Sequence, residues 1–206
     1  PKGPFTSIGT GMALPVIANH GTPEQIERFV ESTLKGETTW CQLFSEPSAG
    51  SDLANLRTKA VQADDGSGDW IVNGQKVWSS WAHLTDWGIL VVRTDPTVPK
   101  HKGLTFFVVD MKTTGIDVRP IRQISGASDF NETFLTDVRI PDSQRIGAIG
   151  EGWACCMTVL MGERLGSGAH KSAVEPLINY AMATPDGRGG NALDNGAVRQ
   201  SLAEAL

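Results

Sequence analysis

The sequence predicts an α+β protein built in the order helix, sheet, helix. Three observations carry that prediction. Apolar residues recur at helical spacing over roughly the first 37 positions, short alternating runs divided by turn residues fill 38–149, and helical spacing returns from Gly150. Strands and helices do not alternate along the chain, which sets aside a doubly wound nucleotide-binding domain.

The first segment holds a clear helix start. In Thr22-Pro23-Glu24-Gln25 the threonine is a cap, the proline opens the first turn, and Gln25 is placed to close a capping box. Ile26, Phe29, Val30 and Thr33-Leu34 follow at helical spacing, and Gly36 stands as the C-terminal cap. Strands are expected over Trp40–Phe44, Leu56–Gln62, Asp69–Val72, Gln75–Trp78, Trp87–Thr94, Leu104–Asp110, Ile116–Ile121 and Glu132–Val138. Asn73-Gly74 reads as a hairpin turn. Asp64-Asp65-Gly66-Ser67-Gly68, Asp95-Pro96 and Gly126-Ala127-Ser128 read as further turns. Strands at this spacing predict an antiparallel barrel or sandwich. Trp153, Met157, Leu160, Met161, Leu165 and Ala169 then form a helical stripe that runs towards Tyr180. The stretch 184–190 is a loop, and another helix starts at about Ala197.

Composition narrows the function classes. The 206 residues are 40% hydrophobic and 20% charged, with a formal net charge of −5. That balance supports a packed core, and no Lys/Arg cluster offers a nucleic-acid surface. No apolar run approaches the roughly 20 residues that cross a bilayer. Pro1-Lys2-Gly3-Pro4 lacks the pattern of a signal peptide, and Cys41, Cys155 and Cys156 read as reduced thiols. The expectation is a cytoplasmic protein. Pro1 is not an initiator methionine and Leu206 falls inside a helical pattern, so a fragment or the ordered part of a longer chain is expected.

Three stretches can carry chemistry. Gly9-Thr10-Gly11 is not one of them, because it lacks the third glycine and the preceding strand of a dinucleotide fingerprint. No histidine or cysteine spacing points to a metal. Ser45 to Asp52 (SEPSAGSD) follows an apolar strand and can present hydroxyl and N–H groups to a ring edge or a phosphate, or form a plain turn in which Glu46 and Asp52 satisfy local donors. Trp78-Ser79-Ser80 joins an indole to two hydroxyls, fit either for a flat cofactor or for the core. Glu163-Arg164 interrupts an apolar, small-residue helix; its charges are a functional pair, an interhelical ion pair or a solvated face.

Taken together, these stretches resemble the acyl-CoA dehydrogenase family. CQLFSEPSAGSD (41–52) is similar to its first signature, WIVNGQKVWSS (70–80) to its second, and FNETFLTDVRIPDSQRIGAIGEGW (130–153) to its third, in the family's order. The resemblance implies the end of an N-terminal helical domain over 1–37, a middle β-barrel domain over 38–149, and the first helices of an incomplete C-terminal bundle over 150–206. It implies non-covalent FAD, with Gln42, Leu43, Phe44 and Ser45 along one side of the flavin ring. Trp78, Ser79 and Ser80 match the second flavin-contacting segment, with Ser80 in place of the usual threonine. Ser51 matches the serine near the pyrophosphate and the CoA chain.

The implied reaction is α,β-dehydrogenation of an acyl-CoA to a trans-2-enoyl-CoA, in fatty-acid or other acyl-chain β-oxidation. Electrons would pass to an electron-transfer flavoprotein, and the assembly would be a homo- or hetero-tetramer. Glu163 matches the alternative position of the catalytic base, with Arg164 close to the active site; the other source of a base is a glutamate beyond Leu206. The same fold would also serve an acyl-CoA oxidase, a flavin monooxygenase or a non-catalytic partner subunit.

Overall fold

The computed structural model of the chain describes residues 6–166 and 174–204. The chain divides into two compact units, one reaching to Glu163 and the other starting at Arg164.

The first unit opens with helical turns: α1 (Thr6–Ile8), a π-helical turn (Gly9–Ala13), α2 (Leu14–His20) and α3 (Pro23–Leu34). The break before α3 is the expected capping box. Gln25 N donates to Thr22 Oγ1 at 3.3 Å, and Thr22 N donates to Gln25 Oε1 at 2.9 Å. The apolar stripe is partly displaced. Phe29 and Thr33 are buried as expected, but Gln25 is buried too, and Leu34 is exposed. Gln25 is tolerated inside because its Nε2 donates to the carbonyls of Ser143 and Arg145, leaving little polarity unsatisfied.

Eight strands follow: β1 (Trp40–Leu43), β2 (Lys59–Gln62), β3 (Trp70–Ser80), β4 (Trp87–Arg93), β5 (Leu104–Asp110), β6 (Ile116–Ile121), β7 (Phe130–Ile140) and β8 (Arg145–Ile146). They form one sheet in the order β6-β7-β3-β2-β4-β5-β8, with β1 also on β4. The sheet is mixed rather than wholly antiparallel, because β1 and β2 run parallel to β4. β6 is an edge strand, which accommodates Pro120.

The expected hairpin at Asn73-Gly74 is not there. β3 runs through those residues as one 11-residue strand, and the chain reverses instead at Asp64–Gly68, where Ala63 N donates to Asp69 O at 2.8 Å. Asn73 and Gly74 lie opposite a bulge in β7. The register shifts between Val72 and Gly74, Asn73 bonds both the backbone N–H and the carboxylate of Asp137, and Asp137 has φ 48°. Glycine is needed at 74 for space: a Cβ there would lie 2.7 Å from Thr58 Cα.

Burial shows how the sheet is folded. Along β4 and β5 side chains alternate between two cores. Leu90, Val92, Phe107 and Val109 pack with Trp70 and Val72 of β3 and Leu135 and Val138 of β7, so the sheet curls to enclose them. Ile89, Val91, Phe106 and Val108 face outward and are covered by α2, α3 and the start of α4 (Gly152–Gly166). Trp40 anchors this second core with edge-on contacts to Phe29 and a bond from its indole N–H to Thr33 Oγ1 at 3.0 Å. Each fully buried large apolar side chain contributes on the order of 2 kcal/mol relative to exposure.

The second unit contains α5 (Glu175–Ala183), a 3-10 turn (Ala192–Asp194) and α6 (Gly196–Glu204). The loop expected at 184–190 is present, held by Asp186 Oδ1, which accepts from the N–H groups of Arg188 and Gly190. The helical stripe expected to continue past Gly166 and the helix expected to run on to Leu206 fall in part on residues 167–173 and 205–206, which lie outside the described residues. No described helix is long and apolar enough to cross a membrane.

Candidate flavin site

The first unit holds a cavity of about 310 Å³ at the end of β1. Three pieces of chain build it. Gln42, Phe44, Ser45, Gly50, Ser51 and Leu53 come from β1 and the loop after it, Val77 and Trp78 from β3, and Trp153, Leu160 and Glu163 from α4.

The loop after β1 is a tight turn with its own clamp. Glu46 and Ala49 exchange two backbone hydrogen bonds, at 2.9 and 3.1 Å. The Glu46 carboxylate turns inward and accepts from Arg57 N at 2.6 Å and Thr58 N at 2.9 Å. It also meets Lys76 Nζ at 3.0 Å, and Lys76 is fully buried. Burial pushes the Glu46 carboxyl up, but Lys76 and the N–H groups of Arg57 and Thr58 outweigh it and hold the group below its ordinary 4.5. Glu46 is thus an internal brace, and Ser45 and Ser51 on either side of it reach the cavity wall.

β3 delivers Trp78 through a second bulge. The register with β7 shifts between Lys76 and Ser79, and Trp78 sits at φ 62°. A left-handed backbone is uncommon for a bulky residue and marks a site worth its strain. The bulge throws the indole out of the alternation: Trp78 is 60% exposed, whereas Val77 and Ser79 on either side are buried. Its ring meets Phe130 edge-on, at 6.1 Å between centroids. Trp78 is therefore inside a bulged strand rather than at the end of a hairpin arm.

The remaining site residues fall in different places. Leu43 is fully buried in the core enclosed by the sheet, and its side chain does not line the cavity. Ser79 is buried, with its hydroxyl unpaired and its carbonyl accepting from Asn131 Nδ2; Ser80 is half-buried, and neither lines the cavity. Glu163 lines the cavity and is exposed, so it is no buried charge. Its placement depends on Gly162, where a Cβ would come 2.5 Å from the Gly11 carbonyl in the π-helical turn. Arg164 is exposed and begins the second unit. Trp153 and Leu160 were not singled out as wall residues by sequence; their positions in the α4 stripe signal only a buried face. The thiols are unsuited to nucleophilic work, since burial pushes Cys41 and Cys155 up to about 12.

An exposed indole, a flanking aliphatic wall, two hydroxyls and an amide make a site for a planar ring with a polar edge. A carboxylate at the rim adds a proton acceptor. Fold and site define a class of protein in which a curled mixed sheet and a helix frame a cavity lined by an exposed indole, two hydroxyls and a carboxylate.

The comparisons sharpen that class. Residues 41–138 match the family model described as acyl-CoA dehydrogenase, middle domain. The chain is 59% identical over 153 residues to the acyl-CoA dehydrogenase FadE34 of Mycobacterium tuberculosis, covering 74% of this chain and 21% of the relative. Among solved structures it is similar to the ChsE4-ChsE5 complex from Mycobacterium tuberculosis (32% identity, TM-score 0.80, covering 98% of this chain and 52% of that one). It is similar also to an acyl-CoA dehydrogenase from Geobacillus kaustophilus (31% identity, TM-score 0.83, covering 96% and 53%). The chain belongs to the acyl-CoA dehydrogenase family, with that family's α+β fold. It spans between about a fifth and about half the length of these relatives.

Proposed function

We propose that the protein takes part in FAD-dependent α,β-dehydrogenation of an acyl-CoA thioester. The observation that carries this reading is the meeting of all three signature segments in one cavity: Ser45 and Ser51 from the first, Trp78 from the second, and Trp153, the last residue of the third, on α4. The residues fit the cofactor's ring. Trp78 offers a flat face held out by a strained backbone, while Ser45 and Gln42 offer donors and acceptors to a polar edge. The cavity volume is at the low end of the roughly 300–1,000 Å³ of small-molecule sites, suited to a ring system rather than a whole dinucleotide.

When bound, the flavin supplies the hydride acceptor for the β-hydrogen. The chain's own residues orient and exchange protons. Trp78 and Val77 exclude water from one face, Ser45 holds the ring edge, and Ser51 is placed for the phosphate or CoA end. Glu163 takes the α-proton, and the product is the trans-2-enoyl-CoA. Electrons leave to an electron-transfer flavoprotein, and the working assembly is a homo- or hetero-tetramer in the cytoplasm. The ChsE4-ChsE5 complex, an assembly of two differently named components, supports a hetero-oligomer as a second arrangement.

The test is anaerobic addition of acyl-CoA substrates of different chain type to the FAD-loaded protein. Bleaching of the flavin, restored by an electron-transfer flavoprotein more readily than by air, supports the dehydrogenase reading. Rapid reoxidation by air points to an oxidase or monooxygenase. A protein that takes up no FAD overturns the reading.

A further inference from the structure

Directly behind the cavity wall lies a buried cation that the reaction does not use. Lys76 has no exposed surface, and its ammonium donates to Phe44 O and to Glu46 Oε1, both at 3.0 Å. The next residue, Val77, donates its N–H to Ser45 O at 2.9 Å. Three bonds therefore fix the register of Phe44-Ser45-Glu46 against Lys76-Val77, and Trp78 follows immediately. Glu46 in turn is tied to the N–H groups of Arg57 and Thr58.

Stability alone does not account for this arrangement. Replacing a buried ion pair with apolar groups of similar volume is often neutral or stabilising, so the pair is weak support for the fold as such. What a methionine could not supply is a bond to a particular carbonyl and a particular carboxylate, and buried charges are best attested as devices that fix register. The two elements locked here carry Ser45 and the strained Trp78. Both line the cavity, and a left-handed tryptophan persists only where its surroundings over-determine it.

We infer that Lys76 and Glu46 are positioning residues of the cofactor site: their buried pair holds Ser45 and Trp78 in the geometry that receives the flavin ring. The inference rests on the FAD reading above. Neither residue touches the ring; both act through their neighbours, as the supporting groups of preorganised sites do.

The experiment compares the wild-type protein with Lys76→Met and with the double variant Lys76→Met/Glu46→Gln. FAD affinity is followed by quenching of flavin fluorescence, the flavin environment by visible circular dichroism, and stability of the FAD-free protein by urea unfolding. Lys76→Met is expected to weaken FAD binding about tenfold or more, the scale on which supporting groups that orient the contacting residues of a site act, and to change the flavin dichroism. The double variant removes the stranded carboxylate, so it is expected to regain much of the urea midpoint while its FAD affinity stays low. Affinity and dichroism restored together with stability would overturn the inference, because a merely structural role predicts that outcome. Wild-type affinity in Lys76→Met would overturn it as well. Should Lys76→Met not fold, Lys76→Gln, which keeps a donor to one of the two acceptors, is read in the same way. A wild-type protein that takes up no FAD removes the reading itself and is told apart by that control.

Discussion

Trp78 gives the sharpest prediction about how the fold carries the site. It occupies a strand bulge at φ 62°, a conformation that costs a non-glycine residue about 1–2 kcal/mol. In an ordinary strand or helix interior, glycine is less stable than alanine by about 0.5–1 kcal/mol because the unfolded chain gains freedom. At position 78 the two effects oppose each other. Trp78→Gly and Trp78→Ala both lose the edge-on contact with Phe130, so that loss cancels between them. Glycine escapes the left-handed penalty and alanine keeps it. The difference leaves Trp78→Gly more stable than Trp78→Ala by about 0.5–1 kcal/mol, the reverse of the usual order. Urea unfolding of the FAD-free variants reads this as a higher midpoint for glycine at an unchanged slope. An alanine variant as stable as the glycine variant, or more so, would refute the claim that the backbone here is strained. Both variants should bind FAD poorly, since the strain is retained for the indole that forms the wall.

Two further predictions follow from the packing. Gly74→Ala should destabilise the sheet by about 1–3 kcal/mol, because its Cβ would press on the Thr58 backbone at 2.7 Å; an unchanged urea midpoint would show that β3 and the segment before β2 can part freely. The Glu46 carboxyl lies below its ordinary 4.5 when folded, so its contribution is present above that value and is lost as pH falls through the folded value. Glu46→Gln should therefore cost about 3–5 kcal/mol at neutral pH, the scale of breaking a buried pair by removing one partner, with a deficit that shrinks well below pH 4.5. A deficit that stays constant across that range would contradict the paired carboxylate.

How much of this was legible in the sequence differs by the range of the interactions involved. The Thr22–Gln25 capping box was readable because both partners lie within one helical turn. The strands over Leu104–Asp110 and Ile116–Ile121 were readable to the residue, the first as a mainly apolar run and the second by its alternation. Asn73-Gly74 misled because its turn chemistry serves a bulge whose partner, Asp137, lies on a distant strand. The reversal at Asp64–Gly68 is legible as a turn between two expected strands, but nothing local shows that the second strand runs on through Asn73-Gly74. The buried Gln25 and Lys76 look like surface residues in sequence, and only their distant carbonyl and carboxylate partners explain them. Of the expected ring contacts, Gln42, Phe44, Ser45 and Trp78 line the cavity, as does Ser51, while the side chains of Leu43, Ser79 and Ser80 do not. On β1 alternation separates Leu43 from Gln42 and Phe44, but on β3 it could not set Ser79 and Ser80 apart from Trp78, because the bulge at Trp78 resets it.

The central proposal is that this cavity receives the flavin ring and that Glu163 removes the α-proton of the acyl-CoA. The most direct measurement is the anaerobic rate of flavin reduction by acyl-CoA in Glu163→Gln against wild type, with FAD binding checked in both. The account predicts that FAD stays bound while the rate falls by about 10²–10⁴, the range a positioned general base contributes. A variant that reduces its flavin at close to the wild-type rate would contradict it and place the base elsewhere.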